Sequence, residues 1–203
     1  MDYVNRQASK FLGLQWTTIG QENLNKNQTY IVLSNHQTAL DVLAGAHIWE
    51  SFEQCAVVAK KELLYLPILG LCGSLSGGIF LNRGSSESSR KAINDAGKKA
   101  KELGISMMLF PEGTRNSAGG GSLLPFKKGA FHVALDVGVP ILPMVISEYD
   151  FLGPGGCRNK KFDSGNVTIK ILPPIQTEGI SKDHMDYLIK QTRDSMLEAL
   201  KTL

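Results

Sequence analysis

Cysteine is scarce in this chain. Cys55, Cys72 and Cys157 are the three among 203 residues, and no two of them form a CxxC pair. An odd number at such spacing excludes a disulfide scaffold and a thiolate zinc site, and it favours reduced thiols in a cytosol-facing protein. No other set of His, Cys, Asp and Glu has the spacing of a metal site, so no metal is expected. An excess of one charge is also missing. A formal net charge of +3 is too small to argue for nucleic acid, and the local placement of Lys and Arg carries more information than the sum. No segment reads as a signal peptide, because Met1 is followed by Asp2, Asn5, Arg6 and Lys10. The longest uncharged stretch, Leu63 to Asn82, is broken by Pro67, by several glycines and by serine and asparagine side chains. A spanning helix needs ~20 predominantly apolar residues. The stretch therefore reads as loop plus buried strand, with a membrane-dipping element as the alternative.

What is present is the composition of one globular domain spanning 1–203, with 42% hydrophobic and 20% charged residues, no internal repeat and no dividing linker. Residues 2–12 predict a short helix ending at Gly13, either packed on the core or lying on lipid. Apolar runs at 29–34, 54–59, 77–81, 105–110, 140–146 and 167–172 predict strands. Helical spacing at 38–49, 86–103, 127–137 and 181–203 predicts helices, with Thr38 and Ser181 as candidate N-caps and Gly104 and Gly138 just past two C-termini. Strands that alternate with helices imply an α/β layer architecture. Ala118-Gly119-Gly120-Gly121-Ser122 reads as an ordinary surface turn or a mobile active-site loop.

Two short strings carry chemistry. In Asn35-His36-Gln37-Thr38-Ala39-Leu40-Asp41 a histidine follows a strand and precedes a helix, where α/β proteins commonly place ligands. Asp41 falls in the first turns of that helix, so the ring can fold back to it. A carboxylate on one imidazole nitrogen fixes the tautomer and leaves the other free to take a proton from a substrate hydroxyl. The second string, Phe110-Pro111-Glu112-Gly113-Thr114-Arg115, follows an apolar strand about seventy residues later. Gly113 lets the backbone approach a ligand, Arg115 offers a planar fork for phosphate, and Glu112 either orients Arg115 or bonds a substrate hydroxyl. Arg83 ends a strand as a second phosphate donor or a solvated end. Lys127 and Lys128 open a helix, where cations oppose the dipole unless an anion docks there. His47, His132 and His184 fall on helices; His132 and Asp136, four apart, could pair structurally.

These strings, with Gly78-Ile79-Phe80-Leu81-x-Arg83 and Val139-Pro140-Ile141-Leu142-Pro143, resemble in order the four motifs of the glycerolipid acyltransferase family, and most closely its 1-acyl-sn-glycerol-3-phosphate (lysophosphatidic acid) acyltransferases. Ala59-Lys60-Lys61-Glu62-Leu63-Leu64 and Phe126-Lys127-Lys128-Gly129-Ala130-Phe131 look like the same branch. The resemblance covers roughly residues 30–175. It implies a single α/β domain with a central mixed, largely parallel sheet flanked by helices. It also implies transfer of a fatty acyl group from acyl-CoA to the sn-2 hydroxyl of 1-acyl-sn-glycerol 3-phosphate, giving phosphatidic acid and CoA in phospholipid biosynthesis. His36 would be the general base, without a covalent acyl-enzyme, and Asp41 its orienter. Arg83, Glu112, Gly113, Thr114 and Arg115, with Lys127 and Lys128, would hold the phosphate-bearing acceptor. Val139, Pro140 and Ile141 would line an acyl channel or form plain core strand. The expected partners are acyl-CoA as co-substrate, lysophosphatidic acid and a membrane surface, with no bound cofactor and no nucleic acid. The implied location is cytosol-facing on a membrane, that of the endoplasmic reticulum in a eukaryote or the inner membrane in a bacterium. The family usually carries apolar membrane segments before the first motif; only about thirty residues precede it here, and none spans.

Other readings stay open. The acceptor could be glycerol-3-phosphate or a lysophospholipid with a larger headgroup. The fold could serve lipid binding without turnover. Gly73-Ser74-Leu75-Ser76-Gly77 resembles a hydrolase nucleophile elbow but has Leu where the nucleophile belongs.

Overall fold

The computed structural model describes residues 2–61, 65, 78–81, 86–116, 121–152 and 164–203, the side chains of 2–6, 60, 81 and 86–90 aside. Its centre is the apolar run after the polar turn at 25–28. Strand β2 (Ile31–Ser34) is buried at every position. It pairs in parallel on both sides, with β5 (Ser106–Leu109) through Ile31↔Met107 and with β6 (Ile141–Ile146) through Ile31↔Ile141. Successive strand side chains point to opposite faces. Ile31 and Leu33 therefore enter one core, and Tyr30 and Val32 the other.

The first core is closed by three helices, α3 (Ser86–Glu102), α4 (Gly129–Val137) and α5 (Met185–Leu200), which contribute Ala100, Phe131, Val133, Val137, Leu188 and Met196. The second lies under α2 (Asp41–Ile48), where Ala44 and Ile48 meet Met108, Leu142, Met144, Val167 and Ile169. Helix α1 (Asp2–Phe11) packs against α2. Burying both faces of a parallel sheet explains why these strands read as continuous apolar runs.

The strand order is β1-β7-β6-β2-β5-β3-β4, with β1 at Leu14–Ile19, β3 at Cys55–Lys60, β4 at Ile79–Leu81 and β7 at Gly165–Ile171. Every pairing is parallel except β6 with β7. The chain is thus a single α/β domain with the mixed, largely parallel sheet that the resemblance implies.

Four local expectations change. Strand β1 has no counterpart in the apolar runs, because an edge strand buries little. Leu14 is buried while Gln15, Thr17 and Ile19 are exposed, between Gly13 (φ 65°) and Gly20 (φ 81°). Thr38 does not cap α2: its Oγ1 accepts the Leu40 N–H, a turn that ends just before the helix begins at Asp41. Helix α4 begins at Gly129, so Lys127 and Lys128 precede it. Helix α5 begins at Met185, after a short 3-10 turn at Lys182–His184 that Ser181 caps. Asp136 bonds Lys182 at 2.5 Å and Asn94 at 2.6 Å, and the His132 charge also acts on it.

Candidate active site

The carboxyl ends of β2, β5 and β6 lie side by side, the place where open α/β sheets receive ligands. The segments leaving them meet there. Asn35 extends β2 and pins it to the end of β6: its Nδ2 donates to the Ile146 carbonyl at 2.9 Å, and its Oδ1 accepts the Ile146 N–H at 2.8 Å. Gln37 adds donations from Nε2 to the Ile146 and Ser147 carbonyls, each at 3.0 Å. His36 is held between these two anchors.

The His36 ring sits with Nδ1 2.6 Å from Asp41 Oδ2. The same oxygen accepts the backbone N–H of Gln37 at 2.6 Å and of Thr38 at 3.0 Å. With Nδ1–H donating to the carboxylate, Nε2 is left as an acceptor. Phe110, at the end of β5, stacks on the ring with centroids 4.1 Å apart. Asp41 is fully buried, whereas the His36 side chain is 21% exposed. The pair therefore has a dry end that fixes it and a wet end that can meet a substrate. No Ser hydroxyl or Cys thiol bonds the ring among the described residues.

The loop after β5 grips the His36 backbone from both sides. Glu112 Oε1 accepts the His36 N–H at 2.9 Å, and the Asn116 N–H donates to the His36 carbonyl at 2.7 Å. Glu112 Oε2 accepts the Leu124 N–H at 2.8 Å. Arg193 of α5 in turn donates to the Leu123 carbonyl at 2.6 Å. Burial pushes the Glu112 carboxyl above its usual range. The two N–H donors and the His36 charge pull it back, and the Asp41 charge adds to the rise. Both Glu112 oxygens are thus spent on backbone. The structure makes Glu112 a clasp between the His36 segment and the loop at Leu124, and pairs it with backbone where the sequence reading had Arg115 or a substrate hydroxyl.

Arg115 and Thr114 are exposed at the rim. Gly113 has φ 69°, and a Cβ there would stand 2.8 Å from Lys127 Cδ and 2.9 Å from Nζ. The Lys127 side chain therefore lies across this turn, and its backbone N–H bonds the Pro111 carbonyl at 2.8 Å. Gly113, Thr114, Arg115 and Lys127 share one rim beside the His36–Asp41 pair. Lys128 does not join them; its amine pairs with Asp186 at 2.7 Å on the surface. Arg83 lies outside the described residues, as do Cys72, Cys157 and the Gly73–Gly77 string. Residues 118–120 of the glycine-rich loop do too, while Gly121 donates its N–H to Glu148.

Val139, Pro140 and Ile141 take the core-strand reading. They are buried at the start of β6, the opposite end of the sheet from His36, and Ile141 exchanges backbone bonds with Ile175. An open groove of about 690 Å³ between the 170–180 segment and α5 is likewise remote and shares no residue with the site. Among the described residues no group of three or more His, Cys, Asp or Glu could hold a metal ion.

Asn35, Gln37, Phe110, Asn116 and Arg193 have no role of their own in the sequence reading. For Asn35, Gln37 and Phe110 the signal was adjacency to a motif. Asn116 and Arg193 act through contacts between elements distant in sequence, which one sequence does not display.

A histidine–carboxylate pair at the strand ends of a doubly covered α/β sheet, beside a cationic rim, has the geometry to take up a proton at Nε2 and to attract an anion. An acyltransferase family model matches residues 15–147, and the chain belongs to that family. It is 37% identical over 192 residues to the 1-acyl-sn-glycerol-3-phosphate acyltransferase of Saccharomyces cerevisiae, covering 95% of this chain and 62% of that one. Against the 1-acyl-sn-glycerol-3-phosphate acyltransferase alpha of Homo sapiens it is 35% identical over 193 residues, covering 94% and 65%. The crystal structure of the 1-acyl-sn-glycerophosphate (LPA) acyltransferase PlsC from Thermotoga maritima superposes with a TM-score of 0.75 at 28% identity, covering 98% of this chain and 77% of that one. The chain spans less than two thirds of the length of the yeast and human relatives.

Proposed function

We propose that this chain transfers a fatty acyl group from acyl-CoA to the sn-2 hydroxyl of 1-acyl-sn-glycerol 3-phosphate, as a step of phospholipid synthesis. The observation that carries the reading is the 2.6 Å contact between His36 Nδ1 and a fully buried Asp41, which leaves Nε2 as the base. Nε2 takes the proton of the acceptor hydroxyl as its oxygen attacks the thioester carbonyl. The C–O ester bond forms, the C–S bond breaks, and the proton passes from the imidazolium to the departing CoA thiolate. Asp41 stabilises the imidazolium in between. No acyl-enzyme is needed, in keeping with the lack of a hydroxyl or thiol bonded to the ring among the described residues. The names and extent of the matched relatives support the acceptor, and Arg115 and Lys127 supply the cations a phosphate monoester requires.

No helix among the described residues is long and apolar enough to cross a membrane. Lipid substrates nonetheless call for work at a membrane surface, and we place the site on the cytosolic side of one. The test is release of free CoA thiol by purified protein in mixed micelles with oleoyl-CoA and lysophosphatidic acid. General-base catalysis contributes typically ~10²–10⁴-fold, so His36→Ala should lose about 3–5 kcal/mol of barrier lowering while still folding. Retained turnover in His36→Ala overturns the base assignment. Release without acceptor makes the activity a thioesterase, and a preference for glycerol-3-phosphate moves the acceptor.

A further inference from the structure

Among the described residues, two buried polar atoms near the site have no hydrogen-bond partner: Asp41 Oδ1 and the Tyr149 hydroxyl. Asp41 is 0% exposed and Tyr149 is 6% exposed, so water does not readily replace a missing partner for either. The load on Asp41 is lopsided. Oδ2 accepts from His36, Gln37 and Thr38, and Oδ1 accepts from nothing. Tyr149 follows β6 directly. The Asn35 and Gln37 bonds to Ile146 and Ser147 tie that stretch to the segment bearing His36, and the Tyr149 ring is braced edge-on by Phe151 at 5.8 Å.

We infer that Tyr149 is a positioning residue of the His36–Asp41 pair, its phenolic O–H donating to Asp41 Oδ1. An acceptor that lacks a donor and a donor that lacks an acceptor, both buried, satisfy each other where they come within reach. The phenol is near enough to sense the carboxylate, though outside hydrogen-bond geometry as it stands. Burial first, then the Asp41 charge and contact, hold Tyr149 well above its ordinary range, so it remains a donor at any working pH. Glu112 is the other titratable group in the field of both His36 and Asp41, and it bonds only backbone. With Oδ1 satisfied, the carboxylate stays fixed with Oδ2 aimed at Nδ1. Without the phenol, the charge of Asp41 concentrates on Oδ2, the oxygen that faces His36, Gln37 and Thr38.

This role rests on the acyltransferase reading only for its effect on turnover, and the test has an arm that needs no turnover. The Nδ1 proton resonance of His36 is recorded by NMR in the full chain, in wild type, Tyr149→Phe and a form carrying 3-fluorotyrosine at 149. The resonance should move further downfield in Tyr149→Phe, where Oδ2 carries more charge. It should move the opposite way with the more acidic fluorophenol. In the thiol-release assay Tyr149→Phe should lower kcat about tenfold with KM for both substrates unchanged, and should have no further effect in an Asp41→Asn background, as expected for residues acting as one unit. A residue that merely fills the core would lower Tm and leave the resonance in place. An unmoved resonance in both 149 variants overturns the inference. Should wild type release no CoA, the acyltransferase reading fails, and the resonance alone decides the role of Tyr149.

Discussion

The carboxylate of Glu112 accepts the backbone N–H of His36 at 2.9 Å, although the two residues lie 76 apart in the chain. That bond, with the one from Leu124 to the other oxygen, makes Glu112 the clasp between the strand end that carries His36 and the loop that frames it. Glu112→Gln keeps the shape but turns one acceptor into a donor. One of the two N–H groups is then left buried and unpaired, which costs about 1–3 kcal/mol. Urea denaturation should show a loss of that size. Acyl transfer should fall through kcat, because His36 is displaced while the rim cations stay in place. A variant with wild-type stability and kcat would show that the clasp is dispensable.

The same carboxyl makes a prediction in pH. Its folded-state pKa is raised, chiefly by burial, above an unfolded value of about 4.3. A raised pKa contributes stability that is fully present below the unfolded value and is lost as pH rises through the folded one. The stability of wild type relative to Glu112→Gln should therefore decline from about pH 4 upward and level off once the folded carboxyl has ionised. Denaturant midpoints for both proteins from pH 4 to pH 8 measure this. A difference that grows with pH would mean that the two N–H donors outweigh the desolvation.

The parts of the site legible in sequence are those whose chemistry is local. His36 and Asp41 are close along the chain, and a strand followed by a helix forces them together; the turn at Gly113 is equally local. The sheet was legible at its centre, where β2, β5 and β6 are buried on both faces and read as unbroken apolar runs. It was not legible at β1, which buries little more than Leu14 and half of Trp16. The job of Glu112 was hidden because residue type suggests a charge partner, whereas burial dictates backbone donors. Lys128 likewise reads as a ligand until α5 brings Asp186 within 2.7 Å of it.

Asp41→Asn tests the orienter separately from the base. An asparagine that keeps Oδ toward the Gln37 and Thr38 N–H groups turns an amide toward the region of Oδ1 and holds the fold. It has no negative charge to offer the imidazolium. On the proposed mechanism the two residues serve one proton transfer, so kcat should fall by ~10²–10⁴-fold, close to the effect of His36→Ala. Additive losses in the double variant, read from kcat, would mean that the two act independently.

Asn35 predicts a structural effect with a functional consequence. Its amide completes the β6 ladder in the manner of one more strand residue, accepting the Ile146 N–H and donating to the Ile146 carbonyl. Asn35→Ala orphans that N–H, while the Ile146 carbonyl keeps Gln37. The cost should be about 2–4 kcal/mol, combining one unsatisfied buried donor with the lost bonds. Gln37→Ala should cost less, because Asn35 still serves the Ile146 carbonyl. Thermal or urea unfolding of the two variants gives the order, and a reversed order would place the anchor at Gln37.

Cys55 bears on the assay itself, since a thiol reagent reports CoA. It is a free, buried thiol whose burial pushes its pKa up to about 12, only partly offset by a hydrogen bond from the Ala56 backbone. The thiolate is the reacting species, so Cys55 should be silent toward a disulfide reagent at pH 8 in the folded protein and should titrate fully in denaturant. In a Cys72→Ser, Cys157→Ser background the native protein should give less than about a tenth of one equivalent of thiol during an assay, a signal far below that of turnover. Rapid reaction of Cys55 in that background would mean that the second core opens on the assay timescale. The packing of Ala44 and Ile48 of α2 over Met108 and Leu142, and with it the seat of Asp41, would then be far looser than the structure shows.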